Sequence, residues 1–127
     1  MSYQNVKDKL YHGHRKVANN TYLELRHQSI ATLEGGWTDE EFITMRLYGN
    51  VVAEFYPDRL ELYSAGHCTR NTKSRLNLAL ELAGLSFPFR IYQRDWTWYY
   101  QPPNKRTDKY EILFGNGMKL SYNGEVL

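Results

Sequence analysis

Phe42-Ile-Thr-Met-Arg-Leu-Tyr-Gly-Asn-Val-Val-Ala-Glu-Phe-Tyr-Pro-Asp-Arg-Leu-Glu-Leu-Tyr63 is the stretch whose reading decides the fold. Three strand-like runs, Phe42 to Leu47, Val51 to Tyr56 and Arg59 to Tyr63, are separated by Gly49-Asn50 and Pro57-Asp58. That is the punctuation of an antiparallel meander. In the third run Leu60 and Leu62 alternate with Arg59, Glu61 and Tyr63, which predicts one buried face and one wet face.

Downstream the period changes. Leu76, Ala79, Leu80 and Ala83 fall on one face of a helix running from about Lys73 to Gly84, with the glycine standing where a helix C-terminus places it. Leu78 and Leu82 widen the apolar face, as a helix packed on a sheet requires. Asn71 or Thr72 is the expected N-cap.

Upstream, Thr21 to Leu25 reads as a first strand, and Ser29 to Leu33 either continues it or pairs with it before the turn at Glu34-Gly35-Gly36. Thr38 or Asp39 is expected to begin a short helical piece over the acidic run Asp39-Glu40-Glu41. Residues 1–20 read as a short helix or an arm: Val6 and Leu10 have helical spacing, but Gly13 and Asn19-Asn20 interrupt it. After Pro88, Phe89 to Gln93 and Trp96 to Tyr100 are strand-like, and Gln101 to Lys109 is the longest irregular stretch. A closing hairpin is expected from Tyr110 to Phe114 through Gly115-Asn116-Gly117 into Met118 to Tyr122. Strands, one helix, then strands predict an α+β fold, an antiparallel sheet packed against one main helix, in a single domain of residues 1–127.

Hydrophobic residues at 42% and charged ones at 24% are ordinary for a folded chain and argue against disorder. Aromatics reach 15%, with 11 Tyr and 3 Trp, so many rings must lie near the surface. With 16 Lys and Arg against 14 Asp and Glu, the formal charge of +2 is too small to mark a nucleic-acid binder; only local clustering could. Cys68 is the single cysteine, which rules out an internal disulfide or a thiolate zinc site and suggests a reducing, intracellular compartment. The Met-Ser-Tyr-Gln-Asn start has no basic head followed by an apolar run, and no segment approaches the ~20 apolar residues of a membrane helix, so no membrane partner is expected.

The chemistry concentrates at the helix start. Residues 64–77, Ser-Ala-Gly-His-Cys-Thr-Arg-Asn-Thr-Lys-Ser-Arg-Leu-Asn, put Arg70, Lys73 and Arg75 where the helix dipole is already positive, an unfavourable placement by roughly 0.3–1 kcal/mol each. An anion would reverse the sign. Backbone donors, the Thr69, Thr72 and Ser74 hydroxyls and two or three cations are the parts of phosphate sites at helix N-termini. Arg75 is the expected phosphate fork, and Arg75→Gln is then expected to leave the free protein neutral or slightly stabilised. The simpler reading is a capped helix with its cations in solvent.

In Trp96-Thr97-Trp98-Tyr99-Tyr100, an extended chain puts Trp96, Trp98 and Tyr100 on one face, and Trp98 is either a stacking platform for a base or core. His12 and His14 invite a metal, but zinc needs three or four ligands and His27, His67 and Cys68 would have to converge from unrelated places. His67 and Cys68 have no evident orienting carboxylate for nucleophilic work. No Walker loop, Rossmann fingerprint or metalloprotease motif occurs, and no cofactor is expected.

Gly66, Thr69 and Thr72-Lys73-Ser74-Arg75-Leu76-Asn77 fit a pattern of a strand, Gly-x-x-Thr-x-x-Thr-Lys-x-Arg-Ile/Leu-Asn and a helix. In this, and more loosely in Asn20-Thr21-Tyr22, Trp98-Tyr99 and Phe114-Gly115-Asn116-Gly117-Met118, the chain resembles an uncharacterised family of short tailed-bacteriophage proteins. His67 stands where that family has Trp, and Asn71 where it has Thr. The resemblance implies viral origin, a compact fold and the host cytoplasm, with interference in host defence as a role for a phage product. The leading expectation is a non-enzymatic protein binding a phosphate-bearing ligand, a nucleotide or single-stranded nucleic acid. The alternative is an inhibitor or assembly accessory that binds a host protein through exposed aromatics; a homo-oligomer is left open. An enzyme ranks third, since no nucleophile, base and orienter assemble from the sequence.

Overall fold

Two rows of apolar side chains, matched strand by strand, organise the molecule. Leu23, Met45, Ala53, Leu62 and Met118 stand opposite one another across successive strands, and beside them run Leu25, Ile43, Phe55, Leu60 and Leu120. The structure, a computed structural model, describes residues 3–64, 69–85, 90–101 and 112–127. Its elements are α1 (Tyr3–Lys7), β1 (His14–Ala18), β2 (Thr21–Ala31), β3 (Trp37–Leu47), β4 (Asn50–Phe55), β5 (Leu60–Leu62), α2 (Arg70–Leu82), β6 (Arg90–Arg94), β7 (Thr97–Gln101), β8 (Ile112–Leu113) and β9 (Met118–Leu120). One sheet has the order β1-β2-β3-β4-β5-β9 and the other β6-β7-β8, with every described pair antiparallel. This is an α+β fold with one main helix.

The α2 residues Leu76, Ala79, Leu80 and Ala83 are fully buried in one core with Leu60 and Leu62, as their spacing predicts. Ile91, Trp98 and Tyr100 join that core from the second sheet. Burying one such leucine contributes about 1.5–3 kcal/mol. The helix begins three residues earlier than expected, because Thr69, not Asn71 or Thr72, is the N-cap: its Oγ1 accepts from the Thr72 N–H at 3.2 Å. It ends in a Schellman motif, in which Gly84 at φ 86° donates to the Glu81 carbonyl and Leu85 to that of Leu80. Leu85 is fully buried.

The meander stands where the turn residues put it, but four readings change. Ser29 to Leu33 continues the first strand as far as Ala31, and the residues expected to form a short helical piece at Thr38 and Asp39 are strand, because Trp37–Glu41 pair in register with His27–Ala31. Residues 14–18 are strand too: β1 covers the edge of β2, with His14 opposite Glu24. Among the described residues the two halves of the expected closing hairpin do not pair with each other. Its second half, β9, pairs with β5 to place Leu120 in the core, and β8 pairs with β7 in the other sheet. Lastly, Glu61 on the expected wet face is 7% exposed, beneath Arg59 and Tyr63, whose groups bond to it.

Candidate functional site

The start of α2 opens on a pocket of about 320 Å³ whose other wall is the β3–β4 turn. Leu47 and Val52, 6% and 2% exposed, give the pocket apolar residues that the sheet already holds in place. Its polar lining is hydroxyl and amide: Asn50, Ser64, Thr69, Asn71 and Thr72, with the phenol of Tyr48. Among the described residues no carboxylate lines it, and none lies in the first turn of α2.

Local structure explains these positions. Tyr48 and Gly49 both have positive φ, 51° and 82°, between the paired Leu47 and Asn50, a two-residue hairpin turn. A tyrosine in this left-handed region costs roughly 1–2 kcal/mol, and this one is two-thirds exposed. Ser64 is held by its N–H, which donates to Asn116 Oδ1 at 2.8 Å. Thr69 and Thr72 hydroxyls lie 3.0 Å apart, and Thr72 is 3% exposed. The N–H groups of Arg70 and Asn71, in the first turn, have no intrahelical acceptor.

The residues singled out at the helix start are brought together only in part. Thr69 and Thr72 line the pocket; Arg70 is exposed at the first helical position, Lys73 is half-buried and Ser74 is exposed. Arg75 turns elsewhere. Its Nε donates to Thr21 Oγ1 at 2.7 Å, Nη2 to the Asn19 carbonyl at 3.3 Å and Nη1 to Ser74 Oγ at 3.3 Å. The guanidinium thereby ties α2 to the β1–β2 turn, which gives the cation a partner that the helix dipole does not. Gly66, His67 and Cys68 of the expected motif lie outside the described residues.

Trp98 lies in the core, 8% exposed, with its ring centroid 5.9 Å from that of Phe114. Trp96 does not share its face: Asp95 and Trp96 form the β6–β7 turn at φ 51° and 66°, leaving Trp96 93% exposed. Sequence reading missed Tyr48, Asn50 and Ser64. Tyr48-Gly49 before a strand was the available signal, a bulky residue placed where Asn or Gly is favoured. Among the described residues no group of three or more His, Cys, Asp or Glu is placed to hold a metal. No described helix is long and apolar enough to cross a membrane.

A second polar cluster lies on the face of the large sheet opposite the core row. Glu54 and Glu61 stand directly opposite each other, an unfavourable pairing in isolation. The Tyr63 hydroxyl donates to Glu61 and lies 3.2 Å from Glu54, Tyr56 donates to Glu54 at 3.2 Å, and Arg59 Nε reaches Glu61 at 2.7 Å. Burial, more than the neighbouring carboxylates, pushes the Tyr56 and Tyr63 hydroxyls up, so both remain protonated donors. Every group in the cluster is satisfied by another, which is the pattern of a structural network.

No curated protein and no solved structure matches the chain. The family model of the Kyanoviridae Gp96 protein matches residues 4–121, from α1 to the end of β9, and the chain belongs to this family of phage proteins.

Proposed function

We propose that this phage protein is a non-enzymatic binding protein that takes a phosphate-bearing ligand, a nucleotide or a single-stranded nucleic acid, in the pocket at the start of α2. The observation that carries the reading is the pairing of an acid-free helix N-terminus with a pocket whose described lining is hydroxyl, amide and apolar. A volume of about 320 Å³ falls at the small end of ligand sites, which suits one nucleotide unit. Phosphate oxygens would accept from the Arg70 and Asn71 N–H groups and from the Thr69 and Thr72 hydroxyls, with Arg70 and Lys73 adding charge. Tyr48 would stack on the base, the role first given to Trp98. In a phage, capture of a nucleotide would serve interference with a host defence.

Asn71→Asp tests this without touching the core. An acid in the first turn of a helix that has none should stabilise the free protein by about 0.3–1 kcal/mol. The same charge should weaken a phosphate ligand by about tenfold or more, because like charges ~4 Å apart near a surface repel by more than 1.4 kcal/mol. Thermal shift with nucleoside triphosphates, beside fluorescence anisotropy with a labelled oligonucleotide, separates the two ligand sources. Tighter or unchanged binding by Asn71→Asp refutes the site. The alternative of a protein-binding accessory draws on Trp37 and Trp96, 75% and 93% exposed.

A further inference from the structure

The hairpin of β2 and β3 runs well beyond the sheet that holds its base. β1 pairs with β2 only over Thr21–Glu24, and β4 pairs with β3 only from Ile43 onward, yet β2 and β3 stay paired as far as Ala31 opposite Trp37. Residues 27–41 are therefore a two-stranded arm with both edges unpaired among the described strands. Five residue pairs at ~3.4 Å give it a reach of about 17 Å before its tip. Leu33, Trp37 and Ile30 are exposed on it, Leu33 completely. A long open ribbon carrying large apolar side chains is a surface that proteins cover.

Its charge restricts what covers it. The arm holds Glu34, Asp39, Glu40 and Glu41 and no Lys or Arg, −4 of a total of +2; at its base Glu40 faces Arg59 at 3.7 Å and Glu41 faces Lys7 at 2.9 Å, which leaves Glu34 and Asp39 as the charges toward the tip. Nucleic acid is excluded by sign. The chain itself presents a matching surface: a groove of about 290 Å³ lined by Lys9, Arg15, Lys16, Val17, Leu78 and Leu82. Three cations surround an aliphatic floor, and β1 beside them is an edge strand whose outer side no other described strand pairs. The arm cannot reach this groove in its own molecule, because β2 leads from β1 directly into the arm in fixed register.

We propose that the acidic arm of one copy docks, through Leu33 and Trp37, into the basic groove beside β1 of a second copy. The contact is heterologous, arm to groove, so it forms a ring where the rotation closes and a filament where it does not. It is independent of the α2 pocket.

Sedimentation of the full chain across concentration and salt tests the idea. Concentration-dependent assembly is expected at low salt, weakened by roughly tenfold or more when the Debye length is cut to about 3 Å by 1 M salt. Two double variants at exposed positions, Leu33→Ser with Trp37→Thr on the arm and Arg15→Glu with Lys16→Glu in the groove, should each be monomeric with an unchanged circular dichroism spectrum. Mixed together they should form one-to-one dimers and nothing larger, since only one intact arm and one intact groove remain per pair. A monomer at every concentration overturns the proposal, as does assembly that survives both double variants, a mixture that stays monomeric, or an arm that binds only a different protein.

Discussion

Arg75→Gln should destabilise the free protein, against the sequence-based expectation that removing a cation from a helix start is harmless. The Nε–Thr21 Oγ1 contact is 2.7 Å, its acceptor residue is fully buried, and the donor is charged. Hydrogen bonds to charged groups contribute about 1.5–3 kcal/mol. The two Nη contacts, at 3.3 Å on exposed atoms, add little. Thr21 keeps one bond after the substitution, because its hydroxyl donates to the Asn19 carbonyl at 2.9 Å, so no donor is left stranded. Relief of helix-dipole repulsion is negligible, since Arg75 lies six residues past the Thr69 cap and the dipole acts within the first turn. The net loss is about 1.5–3 kcal/mol. In urea, with a slope of about 1–3 kcal/mol per molar, the midpoint should fall by roughly 1 M at constant slope. A double-mutant cycle with Thr21→Val isolates the bond: Arg75→Gln should cost markedly less in the valine background. An unchanged midpoint accompanied by loss of ligand binding would refute the reasoning and return Arg75 to the anion site.

Leu80→Ala should cost about 2–5 kcal/mol, because Leu80 is fully buried between α2 and the sheet; a loss under 1 kcal/mol by chemical denaturation would mean that α2 is not the main cover of the core. Acid should undock α1. The Tyr3 hydroxyl, donating to Glu41 at 2.7 Å, and the Lys7 ammonium behind it hold the Glu41 carboxyl below the usual range. A depressed folded pKa means stability that is present above the unfolded value of about 4.3 and is lost as pH falls through the folded value. Melting curves of the native chain and Glu41→Ala should therefore differ most above about pH 5 and converge toward pH 3, and parallel curves would sink this account.

The meander and α2 were legible because their signals are local. Alternation in Arg59–Tyr63, the turn residues at 49–50 and 57–58, and the spacing of Leu76, Ala79, Leu80 and Ala83 each depend on a few neighbouring residues. The hydroxyl-rich helix start was visible in the sequence for the same reason, and Thr69 and Thr72 from it line the pocket. What covers each face was not visible there. Trp98 turned inward because β6, β7 and β8 form their own sheet over the core, and β9 pairs with β5, which buries Leu120 opposite Leu60. The partner of Arg75, Thr21, lies 54 residues away in sequence, at the start of β2. Periodicity and turn chemistry are properties of a segment. Register, burial and the partner of a charged side chain are set by which distant segment arrives to satisfy it, and here only the tertiary structure decided that.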